Sequence, residues 1–216
     1  TIHAEAYSLL NEELGLDDFS EFLEDETTMA KIENLMNVRD NFNGEKDWHE
    51  IAKSLAVFSA FTEGVNLFSS FAVLLSFKMQ NKLKGVGQIV EWSIRDESLH
   101  SEAGCWLFRT LIKENPDLNT PELEAAINEA ALLSLQLELN FIEKVYELGD
   151  LEGCSKYNLT NFIKNRVNTK LADLGYTPIL TDIDMKAVNE MKWFDSLSAG
   201  KQHTDFFANR VTNYSK

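Results

Sequence analysis

One long apolar stretch constrains the fold more than any other feature of the chain. Residues 54–77 read SLAVFSAFTEGVNLFSSFAVLLSF, without a proline, and about 20 such residues are enough for a helix to cross a bilayer. Glu63 and Asn66 fall in the middle of the stretch, however, and a carboxylate without a partner is strongly unfavourable in hydrocarbon. The stretch therefore predicts a helix buried inside a helical bundle, not a membrane span.

The rest of the chain also predicts helices, because apolar residues recur with helical spacing and no segment alternates like a strand. Gly15 and Gly175 are suited to ending helices, and Thr120 followed by Pro121 is suited to beginning one. Helices are predicted at about residues 1–14, 27–39, 46–80, 88–114, 121–148 and 156–174. We expect an all-α single domain over residues 1–216, with residues 200–216 as a loose C-terminal segment.

Composition narrows the partners and the compartment. The formal charge is −15, from 35 acidic and 20 basic residues, and such a surface repels phosphate backbones, so no direct nucleic-acid binding is expected. Two cysteines indicate a reducing compartment, and we expect a cytoplasmic location. The first residues, TIHAEAYSLL, lack both an initiator Met and the basic start of a signal peptide. We interpret the chain as a fragment.

Glu63 is the first candidate for chemistry. It lies among apolar and aromatic neighbours in the long stretch, and an unpaired buried carboxylate costs several kcal/mol. Glu63 must therefore be protonated, paired with a cation or bound to a metal ion. The alternative to a ligand is a Glu that faces a polar seam or a nearby Lys.

Two further pairs have the spacing of metal sites. Glu97 and His100 are three residues apart and share one face of a helix, so both can reach one iron, manganese or zinc ion. His3 and Tyr7 are four residues apart and also share a face. Each pair has an ordinary alternative, which is a solvated helix face for the first pair, and an exposed terminal His with a core Tyr for the second.

These segments, taken in order, resemble one family. The stretches TIHAEAYSLL, FTEGVNLFSSF and IRDESLH are similar to the small, radical-generating subunit of class I ribonucleotide reductase, and so is the C-terminal KWFDSLSAGKQHTDFFANRVTNYSK. The last stretch is most like eukaryotic and phage-like members. Together they cover nearly the whole chain. The resemblance implies a ferritin-like helical bundle with a di-metal site in its core, held by carboxylates and Glu-x-x-His pairs.

The resemblance also implies the metal ligands. His3, Glu63, Glu97 and His100 match ligands of the family. A Glu and an Asp that complete the set would precede Thr1. The expected cofactor is a pair of iron ions, with manganese as the alternative.

The resemblance assigns three residues to radical chemistry. Tyr7 matches the tyrosine that becomes the radical, Asp96 matches the aspartate that hydrogen-bonds the metal-bound His3, and Tyr214 matches the tail tyrosine that relays the radical.

Two positions near Tyr7 depart from the family's apolar pattern. Phe71 fits an apolar wall around Tyr7, but Leu67 replaces a frequent aromatic residue and Ser93 a frequent aliphatic one. The hydroxyl of Ser93 would either admit water or bond its own helix backbone.

The function implied is the small subunit of ribonucleoside-diphosphate reductase, an enzyme active only with a large subunit. The family also forms homodimers. Two alternatives stay open: another ferritin-like protein, such as a di-iron oxygenase, a desaturase or an iron-storage shell, and a metal-free helical interaction module.

Overall fold

The fold is built from α-helices, as predicted. The computed structural model describes residues 2–13, 15, 24–40 and 47–198, without the side chains of residues 2–4, 38–40 and 198. Within these ranges there is no strand, only one isolated bridge between Leu151 and Cys154. The helices are α1 Ile2–Glu13, α2 Glu26–Asp40, α3 Trp48–Ala56, a π-helix Val57–Thr62, α4 Phe68–Met79, α5 Lys84–Glu114, a 3₁₀ turn Pro116–Leu118, α6 Pro121–Val145, α7 Lys156–Leu174, α8 Met185–Glu190 and α9 Lys192–Ser198.

Two predicted helix ends are confirmed, together with the residues predicted to form them. The Thr120 side chain accepts a hydrogen bond from the Leu123 amide at 3.2 Å and caps α6, which begins at Pro121. Gly175 ends α7 with a φ of 94°, a left-handed conformation that costs little only without a Cβ.

The single helix predicted over residues 46–80 is wrong. The structure divides it into α3, the π-helix, a turn over residues 63–67, and α4. The amides of Glu63 and Asn66 bond carbonyls five residues back, at 3.0 and 2.9 Å, which widens the helix. Gly64 and Asn66 both have low helix propensity, and π-bulges are frequent at functional sites.

The prediction that this stretch is buried inside the bundle is confirmed. Ala56, Phe61, Val65, Phe68 and Leu75 are all fully or almost fully buried. The π-helix packs against α3, α5, α6 and α7, so it lies at the centre of the bundle. Among the described helices, none combines the length and the apolar character that a membrane crossing requires.

Candidate metal centre

Three predicted ligands come together where the π-helix faces α5. Glu63 follows the last residue of the π-helix, and Glu97 and His100 lie one turn apart on α5. One ligand atom from each lies within 4.8 Å of the others. His100 Nδ1 is 4.0 Å from Glu63 Oε1 and 3.9 Å from Glu97 Oε2. The sequence predicted that Glu97 and His100 share one face of a helix. The structure places Glu63 next to this pair.

Two glycines allow the π-helix and α5 to approach this closely. A Cβ built on Gly64 would meet Ser101 Oγ of α5 at 2.7 Å, and a Cβ on Gly104 would collide with the Ser59 side chain of the π-helix. One glycine lies on each side of the contact, so both backbones come near the opposite serine. This approach brings Glu63 to the face of α5 that carries Glu97.

The electrostatics of the cluster favour a cation. Burial raises the pKa of Glu63 above its ordinary value of 4.5, and the neighbouring charge of Glu97 raises it further, against a smaller opposing effect of His100. The side chains of Glu63, Glu97 and His100 are 19%, 26% and 57% exposed. Two adjacent carboxylates and one imidazole form a set of oxygen and nitrogen donors that suits iron, manganese or zinc.

A cavity of about 370 Å³ adjoins the cluster. Glu63 and Glu97 form part of its wall, and most of the remaining lining is apolar. Lys31 also lines it. Its other lining residues are Ile32, Leu35, Phe58, Thr62, Asn66 and Leu67.

Tyr7 is joined to the same helix as the cluster. Its Oη lies 2.9 Å from Ser93 Oγ, and Ser93 donates to the Ile89 carbonyl at 3.2 Å. Of the two alternatives given for Ser93, the bond to its own helix backbone is therefore present. Burial raises the pKa of Tyr7, while the bond to Ser93 lowers it and the charge of Glu97 raises it. The hydrogen bond of the Tyr7 hydroxyl thus goes to Ser93.

The family follows from comparison with known sequences. Residues 1–186 match the family model described as ribonucleotide reductase, small chain. The chain belongs to this family.

Relatives in the ribonucleotide reductase small-chain family include two viral proteins. Both are named "Probable ribonucleoside-diphosphate reductase small subunit". The protein of Invertebrate iridescent virus 3 is 34% identical, with 100% of this chain and 60% of the relative covered. The protein of Invertebrate iridescent virus 6 is 32% identical, with 99% and 68% covered. The chain thus spans 60–68% of the length of these relatives.

Solved structures confirm the fold expected of a small chain. A protein of Bacillus halodurans, described as a candidate class I ribonucleotide reductase, superposes with a TM-score of 0.80 at 22% identity, covering 90% of this chain and 70% of that one. The R2 subunit of ribonucleotide reductase from Clostridium botulinum gives 0.72 at 21% identity, covering 83% and 55%. The small chain described here therefore has the ferritin-like helical bundle fold, and its family implies a di-metal site.

The structure describes less of the remaining candidate residues, which are His3, Asp96 and Tyr214. His3 lies in α1, which packs against α5, but its side chain is outside the described part. Asp96 is exposed on α5 beside Glu97. Tyr214 lies outside the described residues.

The two residues considered for an apolar wall around Tyr7 differ in burial. Phe71 is buried, edge-on to Phe68 with ring centroids 5.6 Å apart. Leu67, in contrast, is 38% exposed.

Sequence reasoning missed a buried acid of this small chain. Glu138 on α6 is fully buried, pairs with Lys31 of α2, and accepts hydrogen bonds from the amide and hydroxyl of Ser69. A signal was available, because Glu138 follows Ser134 by four residues and precedes Ile142 by four, so all three lie on one helix face. That face of α6 is buried.

Proposed function

We propose that this chain is the metal-binding, radical-generating part of the small subunit of ribonucleoside-diphosphate reductase. The observation that carries the proposal is the convergence of Glu63, Glu97 and His100 beside a half-buried tyrosine on the adjacent helix, in a chain of this family. The viral relatives carry that name, and here the activity is inferred from them.

The residues fit a di-metal centre of iron. Glu63, Glu97 and His100 would hold the metal from the π-helix and α5, and His3 would add a ligand from α1. The excess negative charge of two carboxylates whose ligand atoms lie so close would be neutralised by cations. When bound, an iron pair would supply, through its reaction with O₂, the oxidising power for the one-electron oxidation of a nearby tyrosine.

Tyr7 is the residue that would be oxidised. Its ordinary pKa is 10.0, and burial raises it, so the phenol is protonated at neutral pH and must release its proton on oxidation. Ser93 Oγ is the hydrogen-bond partner of the phenol at 2.9 Å, and it holds the Tyr7 hydroxyl in one position. Asp96 would orient His3, as a carboxylate commonly does for a ligand imidazole.

The partner would be the large subunit, which binds and reduces the ribonucleotides. Tyr214 would relay the radical towards it. We also propose a homodimer and a cytoplasmic location. The large-subunit partner is supported by the names of the relatives, the homodimer and the role of Tyr214 by the family resemblance, and the location by the two cysteines.

Reconstitution of the complete natural protein tests the proposal. The protein is loaded with Fe(II) anaerobically, exposed to O₂ and examined by metal analysis, electron paramagnetic resonance (EPR) and ribonucleotide reduction with the large subunit of the same source. We expect about two irons per chain, a tyrosyl signal, and activity. Glu63→Ala should lose metal, whereas Glu102→Ala, which changes an exposed acid on α5, should retain it.

Each alternative predicts a different outcome. A storage protein or a di-iron oxygenase would load iron without a tyrosyl radical and without activity towards ribonucleotides. A metal-free interaction module would not load iron. Either result in the complete protein would overturn the proposed function.

A further inference from the structure

The turn that carries Glu63 is held by two cations from other helices. The Gly64 carbonyl accepts a hydrogen bond from Arg166 Nε of α7. The Asn66 carbonyl accepts one from Lys31 Nζ of α2 at 3.1 Å. Both carbonyls belong to residues 63–67, the turn between the π-helix and α4. Two charged donors thus approach one short turn from two sides of the bundle.

Lys31 is itself held by a buried acid and an aromatic ring. Its ammonium pairs with Glu138, which is fully buried, and lies 4.4 Å from the centre of the Phe141 ring. Burial raises the pKa of Glu138, whereas the charge of Lys31 and hydrogen bonds from Lys31 and Ser69 lower it. Because Glu138 also accepts from the Ser69 amide at 3.3 Å, one carboxylate connects Lys31 to the first turn of α4.

Arg166 is fixed in a different way. Its guanidinium carbon lies 3.2 Å from the centre of the Phe68 ring, which is a cation–π contact. Burial lowers the pKa of Arg166 to about 9, while Asp195 and Asp173 favour the charged form. Arg166 therefore remains charged at neutral pH. Phe68 is the first residue of α4, so Arg166 contacts both the turn and the helix after it.

The placement of the two donors has an electrostatic reason. Carbonyls at the end of a helix carry partial negative charge, and cations near them are favourable. Hydrogen bonds from charged donors are about twice as strong as neutral ones. A buried ion pair adds little net stability, however, because desolvation offsets the attraction. The Lys31–Glu138 pair is thus better explained by the conformation that it fixes than by the stability that it adds.

We propose that Lys31 and Arg166 are positioning residues that hold the 63–67 turn, and with it the Glu63 carboxylate, in the orientation that meets Glu97 and His100. They act as a two-cation clamp on the carbonyls of Gly64 and Asn66. Neither cation is assigned as a metal ligand. The inference rests on the metal site of the proposed function and adds to it two residues outside the ligand set.

Matched variants of the complete natural protein test the clamp. Lys31→Met/Glu138→Gln removes the cation and leaves a neutral acceptor for Ser69. Arg166→Met removes the other cation, and Arg166→Lys retains one. The control is Lys78→Met/Glu91→Gln, because this pair is 2.7 Å apart with a lysine 17% exposed, against 16% for Lys31. Cobalt(II) is the probe, since its visible spectrum reports coordination geometry as well as affinity.

We expect each clamp-removing variant to bind cobalt about 10-fold more weakly or worse, the usual effect of removing a group that orients a metal ligand, with a changed visible spectrum. Arg166→Lys should recover most of the affinity. The control should keep the affinity and spectrum of the wild type, even if its melting temperature falls equally. Clamp variants that fold and bind cobalt as the wild type does would overturn the proposal.

Hydrogen exchange separates this proposal from the proposed function. Without any metal, the Glu63 and Asn66 amides should exchange faster in the clamp variants than in the control, because their turn is released. If the wild type binds no cobalt, the metal site fails, yet faster exchange would still support the clamp. Unchanged exchange in this turn would overturn the clamp whatever the metal result.

Discussion

The Tyr7 hydroxyl is hydrogen-bonded to Ser93 Oγ at 2.9 Å, and this bond joins α1 to α5. Ser93 also donates to the Ile89 carbonyl at 3.2 Å. While Ser93 donates to this carbonyl, Tyr7 is the donor in the bond between the two hydroxyls. Once Tyr7 has lost its proton, the Ser93 hydroxyl can rotate to donate to the phenolic oxygen. Four residues further along α5 lies Glu97, so the helix that carries two candidate ligands also positions the candidate radical tyrosine.

The first prediction concerns Ser93→Ala. The change removes the partner of the Tyr7 hydroxyl and should lower the free energy of unfolding by about 0.5–1.5 kcal/mol, as for one hydrogen bond. The radical should still form. Its high-field EPR spectrum should shift towards that of a phenoxyl without a hydrogen bond, because such a bond redistributes charge on the oxygen. Ser76→Ala, a buried serine that also bonds its own helix, is the control. An unchanged spectrum in Ser93→Ala would contradict the prediction.

The second prediction concerns Tyr7→Phe. Only a hydroxyl is lost, so the fold and metal binding should survive with a loss of about 0.5–1.5 kcal/mol in unfolding free energy. If Tyr7 is the radical site, the iron-loaded complete protein should show no tyrosyl signal after exposure to O₂ and no reductase activity with the large subunit. Tyr157→Phe, an exposed tyrosine on α7, should leave both intact. A radical that persists in Tyr7→Phe would refute the assignment.

The third prediction is that Glu63→Gln stabilises the metal-free protein. The pKa of Glu63 is raised in the folded state, so folded protein binds this proton more tightly than unfolded protein. The free energy of unfolding therefore falls as the pH rises from 4.5 through the pKa of the folded state. At pH 7 the negative charge of Glu63 destabilises the folded protein. Replacing the charged carboxylate by an amide should raise the free energy of unfolding by a few tenths to about 1 kcal/mol, because the partial exposure of Glu63 screens its repulsion from Glu97.

Urea unfolding in the presence of a chelator measures this gain. The same variant should bind Fe(II) more weakly, because a neutral amide replaces a carboxylate ligand. Glu102→Gln, which changes an exposed acid on α5, should change neither quantity. If Glu63→Gln destabilised the metal-free protein at pH 7, the carboxylate would have a stabilising partner, and the cation-site interpretation would fail.

Sequence pattern predicted the parts of this site that depend on one helix. Glu97 and His100 share a face of α5 because of their spacing alone, and Thr120 begins α6 because of its local capping chemistry. The π-helix was not predictable in this way, because elements that pack against it, among them α6 and α7, lie far away in the sequence. The pairing of Lys31 with Glu138 likewise depends on α2 packing against α6. The hydrophobic periodicity within one helix does not predict which other helix it packs against.

The last prediction tests the close contact that brings Glu63 to α5. A Cβ on Gly104 would collide with the Ser59 side chain, so Gly104→Ala must displace the π-helix or α5. Overpacking of this kind typically costs 1–3 kcal/mol, and Fe(II) binding should weaken with it because Glu63 moves with the π-helix. Ser59→Gly alone removes a small buried side chain and should cost about 1 kcal/mol through backbone entropy.

The double variant Ser59→Gly/Gly104→Ala moves the small side chain from one helix to the other. It should be more stable than the sum of the single changes predicts, with a coupling of about 0.5–3 kcal/mol, and it should recover metal binding. Urea unfolding and Fe(II) titration of all four proteins measure this cycle. Additive losses would mean that the two residues are not in contact. A stable double variant without metal binding would show that their approach does not position Glu63.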